Sequence, residues 1–403
     1  MEIETTIISG SKAEGLARYL ESDTDYIFVL GHVICLEDGV NARTFPTEIT
    51  IFRSCMSLPG HCRLITERRG TTIHPAIDDA FCDDGYGRKI LSSDLFVHGL
   101  PHTTMGYGVS HDRAGPSLPS SLHLGLDTDC VHALRYYCPN ILSKWASRPR
   151  HWPPLEVVQQ VVSLGALLTP VGFKGSAYQH VEWRVCFNAG EIELVNNLNN
   201  TQIKMYVLLK MVKADVLKPR KKEISSYTLK NIVLWIAENN PHSLFHEKSL
   251  LHWLHEGLDA LRVALVTREL PYYMIPDRNL MAACGLEEEQ KRKWIATISE
   301  MMKEGSRMVL RLPKIRQALL AHPEPFRWYR SRQIELELLL LIGMNRSGYY
   351  LGENGVRIVC PQAIERRIKE IVMEVCLRMS MEWGGLFDLR LYNPLDVLKR
   401  MCM

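Results

Sequence analysis

Asp23 and Asp25 stand two residues apart in SDTDYIFVL, a run whose apolar continuation reads as a buried β-strand. Side chains alternate across a strand, so both carboxylates project from one face while Thr24 faces the other way. Side by side they repel, and desolvating them is costly unless a cation compensates. Hard divalent cations prefer oxygen ligands, and two Mg2+ or Mn2+ ions about 4 Å apart would hold such a pair. A two-metal site wants a third acid from a neighbouring strand. LDTDCVHAL offers Asp129, with Asp127 as the alternative if the register slips by one pair. Twelve residues before Asp23, Gly10-Ser11 supplies a turn in which glycine lets the backbone approach a triphosphate. The serine hydroxyl and the amides that come after it at a helix start can bind phosphate oxygens. Alone, either motif is ordinary: Gly-Ser is a turn and Asp-x-Asp a solvated strand end. Their combination at this spacing points to a metal site serving phosphate chemistry.

The hydrophobic pattern indicates the elements that must position these residues. Strands are predicted over 3–9, 24–36, 48–53, 62–67 and 130–134, with a short helical segment over 13–20. Between about 70 and 125 the chain is rich in Gly, Pro, Ser, His and Asp and reads as long loops around short strands. After SRPRHWPP the periodicity turns helical over 155–168, 190–217, 226–238 and 250–270. A mixed α/β region followed by an α-helical one is the expected order.

The 403 residues suffice for two or three domains with real cores, and 46% hydrophobic and 23% charged residues are ordinary for a globular chain. A net charge of +3 names no partner. The 11 cysteines include no Cys-x-x-Cys pair, which argues against a disulfide framework and a zinc knuckle and suits a reducing compartment. MEIETTIISG lacks a basic-then-apolar leader pattern, and IELELLLLIGM is about half the length a bilayer requires. The expectation is a soluble, cytoplasmic protein without a membrane partner.

Gly10-Ser11 with Asp-x-Asp twelve residues on resembles the active-site signature of template-independent nucleotidyltransferases, and most closely the cyclic GMP–AMP synthase-like receptors of the male-abnormal superfamily. DCVHAL resembles the family's third-acid strand, EWRVCFNAGEIELVNN its Trp-Arg-x-x-Phe motif, ISSYTLKNIVLW its Ser-Ser-Tyr helix, and YYMIPDRNL its Ile-Pro-acid-x-Asn-Leu turn. The resemblance covers roughly residues 7–285. It implies an α+β, bilobal nucleotidyltransferase fold: a mixed β-sheet catalytic core over 1–185 and a helical lobe over 186–330, with 331–403 a helical extension of unassigned role. Asp23, Asp25 and Asp129 would hold two Mg2+ or Mn2+ ions and carry catalysis. Gly10 and Ser11 would touch nucleotide phosphates, Arg184 and Lys210 phosphate or base, and Tyr227, beside Ser226, a nucleobase. Glu191 takes another substrate-facing position. On physical grounds alone, Arg184 beside Trp183 also reads as a structural cation–π or ion pair, and Lys210 as a snorkelling lysine.

The implied activity is synthesis of a cyclic dinucleotide second messenger from ATP and/or GTP, in nucleic-acid-activated innate immune signalling. The alternative is a catalytically silent binding or scaffold protein. NNLNNTQIKMYVLLKMVKAD lacks the cysteines of the vertebrate sensor's zinc insertion, so no structural zinc is expected. That likens the chain to the invertebrate type, with double-stranded RNA favoured over DNA as activator. Gly10 also lies too near the first residue for the long brace helix that family members carry there, and the expectation is that this brace is missing. Lys213, Lys218, Arg220, Lys221 and Lys222, with Arg307, Arg311 and Lys314, are candidates for a duplex backbone, or else solvated faces. His242, His246, His252 and His255 read as packing and surface residues. Trp294 and Trp328 read as core or interface.

Overall fold

In the computed structural model, residues 4–17, 22–100, 109–110, 116–122, 126–219, 223–282, 284–346, 348–352, 355–359, 362–383 and 401 are described. The chain forms two compact units, one of residues 1–17 and 23–312 and the other of 18–22 and 313–403.

The first unit is organised by one sheet. Its strands are β1 (Glu4–Ser9), β2 (Thr24–Leu36), β3 (Thr50–Leu58), β4 (His61–Arg68), β5 (Phe81–Asp83), β6 (Lys89–Leu91), β7 (Val109–Ser110), β8 (Leu118–Leu122), β9 (Leu126–Tyr137), β10 (Ala166–Thr169) and β11 (Glu182–Cys186). The hydrogen-bonded order is β1-β2-β3-β4-β11-β10-β9-β8-β7, and β2 also pairs with β9, so the path from β2 round to β9 returns on itself. β2 manages this by changing partners along its length. Its first half lies antiparallel to β1, its last four residues run parallel to β3, and it is parallel to β9 on the other side. The β2–β9 register shifts between Val29 and Ile34, where His32 adopts a left-handed φ of 56°. Such an irregularity bends the strand and re-aims the residues beyond it. Trp183, Phe96 and Phe52 fill the interior, all fully buried.

Four short helices serve the sheet: α1 (Gly10–Ala13), α2 (Pro75–Asp78), α3 (Ser93–Gly99) and α4 (Pro139–Ala146). The predicted helix over 13–20 is therefore displaced to Gly10–Ala13, and residues 18–21 lie outside the described ones. A second correction concerns 155–168. The helix α5 (Leu155–Leu164) stops at Gly165, whose φ of 68° suits glycine, and Ala166–Thr169 becomes strand β10. A third concerns 190–217. It divides into α6 (Asn188–Asn196) and α7 (Asn200–Met211), because the Asn-rich junction breaks the helix and Asn199 starts a new one through a reciprocal capping box with Gln202. A wide π-type turn, Val212–Leu217, continues from α7 and ends at left-handed Lys218.

The helices α8 (Ser226–Asn239), α9 (Leu250–Thr267) and α10 (Glu288–Lys303) complete this unit; α8 and α9 pack with α7, and α10 packs on α9. Gly257 admits the close approach of α7 to α9, since a Cβ there would lie 2.9 Å from Leu209. Trp294 is buried and donates to the Leu217 carbonyl at 2.8 Å, a core role.

The second unit contains α11 (Pro313–Leu320), α12 (Pro323–Arg346), the antiparallel pair β12 (Gly348–Gly352) and β13 (Gly355–Val359), and α13 (Gln362–Trp383). Tyr329 and Leu336 of α12 pack against Ile371, Val375 and Met379 of α13, spaced as one helical face requires, with Trp328 partly buried beside them. Among the described residues no helix is long and apolar enough to cross a membrane, and the described cysteines form no disulfide.

Asn199→Ala removes the side-chain half of the α7 cap. Denaturant unfolding should show a loss of about 1 kcal/mol.

Candidate active site

Asp25 lies on β2 directly opposite Asp129 on β9 in the parallel register, and opposite Ser9 on β1. Asp23 stands one residue before the strand begins, as the predicted bounds of 24–36 imply, so it joins the cluster from the strand's entry. One carboxylate oxygen from each of the three lies within 4.8 Å of the others, and among the described residues no other group of three His, Cys, Asp or Glu side chains is so placed. Asp127, two positions from Asp129 on the same strand, is exposed and is not one of the three. Burial, then the charges of Asp23 and Asp129, push the Asp25 carboxyl up to about 6. This crowding of oxygen donors is compatible with divalent cations.

The Gly-Ser turn abuts the acids. Gly10 has a φ of 70°, and a Cβ there would fall 1.8 Å from Asp25 Oδ2, so a side chain would strain the backbone and have to displace that carboxylate. Lys210 Nζ donates to Ser11 Oγ at 2.9 Å, joining α7 to the turn, so this lysine is more than a snorkelling one. Lys12 Nζ donates to Thr24 Oγ1 at 2.6 Å. Asn188 Nδ2 donates to Ser9 Oγ at 3.2 Å, tying α6 to the end of β1.

Beyond the acids, a cavity of about 490 Å³ is lined by Arg184, Asn188, Glu191, Tyr227 and Arg278, with His61 among its other residues. Strand alternation separates Trp183 from Arg184. The indole is buried against Phe96 and donates to the Leu91 carbonyl, while Arg184 is among the residues that line the cavity. Glu191 is buried, and its carboxylate is occupied by protein: Tyr227 and Tyr272 hydroxyls donate to Oε1 at 3.1 and 2.7 Å, and Lys230 Nζ lies 2.7 Å from Oε2. Tyr227 also meets the Tyr272 ring at 5.7 Å between centroids. Ser226 Oγ accepts from Lys213 Nζ at 3.3 Å, which brings the π-type turn against the start of α8.

The structure thus gathers Gly10, Ser11, Asp23, Asp25, Asp129 and Lys210 in one neighbourhood, and Arg184, Glu191 and Tyr227 around one cavity. Arg220, Lys221 and Lys222 lie outside the described residues. Arg311 is held in ion pairs with Glu304 and Glu300 at 2.6 and 3.5 Å, and Arg307 is exposed. Lys314 belongs to the second unit.

Sequence reasoning missed Lys230, Glu14, Tyr272 and Arg278. Lys230 leaves a trace: it is the one charge in the otherwise uncharged SYTLKNIVLWIA, one turn past Tyr227. A further cavity of about 420 Å³, lined by Leu58, Pro59, Ile141, Trp145 and Ile275, contains none of the predicted residues.

Two outcomes are expected of these charges. Asp25→Asn relieves repulsion between crowded acids, so in EDTA its melting temperature should equal or exceed the wild type's, while the stabilisation by added Mn2+ disappears; a lower melting temperature in EDTA would refute the crowding. Burial, then Arg278 and Arg184, push His61 down to about 4. The unfolded imidazole takes up its proton near 6.5, before the folded one does, so stability falls as pH drops from about 6.5 to 4. His61→Asn should cancel roughly 2 kcal/mol of that fall between pH 7 and 4.5, measured by urea unfolding at both values.

Residues 191–300, from within α6 to within α10, match the family model of the Mab-21 protein HhH/H2TH-like domain, so this part of the chain is similar to the Mab-21 family.

Proposed function

We propose that the protein is a metal-dependent nucleotidyltransferase that joins ATP and/or GTP into a cyclic dinucleotide second messenger of innate immunity when a nucleic acid activates it. The observation that carries this reading is the convergence of Asp23, Asp25 and Asp129 within 4.8 Å, against a Gly-Ser turn that reaches Lys210. The three aspartates would hold the divalent cations, whose charge, when bound, neutralises the triphosphate and acidifies the attacking ribose hydroxyl.

The chain's own residues supply the rest. Ser11 Oγ and Lys210 Nζ bind phosphate oxygens, and the glycine before them lets the backbone close on the triphosphate. Tyr227 offers a ring to a nucleobase, and Arg184 provides donors at the same cavity. Asp129, the acid nearest the sheet's β8 side, accepts the proton of the attacking hydroxyl at a carboxylate oxygen. A bond forms between the ribose oxygen and the α-phosphorus as the α–β bridging bond breaks, and pyrophosphate leaves. Holding both nucleotides in one cleft makes this attack effectively unimolecular. Turnover of the linear product and a second transfer close the ring.

Double-stranded RNA is the proposed activator. The basic segment Lys213–Lys222 and the lack of cysteine in NNLNNTQIKMYVLLKMVKAD support that choice. Purified protein incubated with ATP, GTP, Mn2+ or Mg2+ and either double-stranded RNA or DNA should yield a cyclic product resolved by chromatography, its linkages typed by nuclease P1. Asp23→Asn and Asp25→Asn should each lower yield at least a thousandfold. Product from either variant at wild-type levels would defeat the assignment, and no product under any activator would favour a binding or scaffold role.

A further inference from the structure

Lys230 sits in the interior of α8 with its side chain 10% exposed, between two carboxylates that belong to different parts of the site. Its ammonium lies 2.8 Å from Glu14 Oε1 and 2.7 Å from Glu191 Oε2. Both acids are buried, at 6% and 3%. Glu14 comes directly after α1, and its backbone N–H donates to the Gly10 carbonyl at 3.1 Å, so its side chain is an anchor for the turn that presents Ser11. Glu191 is the acceptor for the hydroxyls of Tyr227 and Tyr272. The ammonium also stands over the Tyr227 ring, 5.3 Å from its centroid.

A buried cation of this kind is expensive and adds little net stability over an apolar replacement, whereas losing one partner leaves an uncompensated charge. A stability role alone therefore explains Lys230 poorly. Its neighbours explain it better: one ammonium is shared by an acid on the phosphate side and an acid on the base side. Burial works against the charge, yet Glu191 and Glu14 hold the lysine protonated.

We propose that Lys230 is a positioning residue that locks the Ser11 turn to the Tyr227–Glu191 wall, and so sets the distance between the phosphate-binding and base-binding ends of the cleft. This rests on the nucleotide reading above. It adds that Glu14 acts on the ligand only through Ser11, and that Glu191 serves Tyr227 by holding its hydroxyl.

The test uses adenosine 5′-(α,β-methylene)triphosphate with Mg2+, titrated calorimetrically into the full chain, with thermal unfolding recorded for every variant. Lys230→Met should weaken binding at least tenfold, and Lys230→Arg should recover most of that loss. Glu14→Ala, which leaves Lys230 paired with Glu191, should weaken binding about fivefold, and it carries the test if Lys230→Met does not fold. Combined with Ser11→Ala, Glu14→Ala should add less than twofold, because both changes act through one turn; independent structural damage would multiply instead. Wild-type affinity in a folded Glu14→Ala or Lys230→Met variant, or full multiplicativity with Ser11→Ala, overturns the proposal. A wild-type protein that does not bind the analogue overturns the nucleotide reading itself, and the positioning role with it.

Discussion

The parallel pairing of β2 with β9 is the constraint on which the site depends. Parallel strands place residues at a fixed offset, and here that offset sets Asp25 beside Asp129. One residue of slip would turn every side chain of one strand to its other face and disperse the acids. Two structural devices hold the register. The antiparallel partner β1 clamps the first half of β2 from the opposite edge, and the left-handed residue His32 lets the second half leave for β3 without dragging the first half along. The sheet is therefore most tightly specified where like charges most oppose it.

The helical side answers this with opposite charge. Lys210 reaches the Gly-Ser turn, Lys230 bridges two buried acids, and Lys213 approaches the head of α8. All three come from α7, its π-type continuation, or α8. π geometry admits an extra residue per turn and commonly occurs at functional sites, and here it directs Lys213 back toward Ser226. Lysines from these helices thus reach both the turn beside the acid cluster and the buried acids Glu14 and Glu191.

Much of this was legible in the sequence, and the exceptions have physical causes. The strands bearing the acids announced themselves through apolar runs such as YIFVL, because buried β-segments cannot be written otherwise. The three acids that converge were indicated by motif spacing and by family resemblance. The periodicity of helices failed near breaks: Gly165 converts a helix into a strand within one residue, and the paired asparagines at 196–200 split a continuous apolar pattern. Lys230 and Glu14 were passed over because buried ion pairs depend on contacts 216 residues apart, which no local pattern encodes. Within the cationic stretch after Met301, Arg311 pairs with Glu300 of α10 and with Glu304 just past it, contacts that the charge run alone does not announce.

Gly10 brings two requirements into one atom's space, a left-handed backbone and room for the carboxylate of a neighbouring strand. The acids themselves have isosteric amides, but any side chain at position 10 would have to displace the Asp25 carboxylate, which lies 1.8 Å from where a Cβ would sit. Among diverged relatives, a side chain at position 10 would thus require a shortened residue at position 25, and would still meet the left-handed backbone.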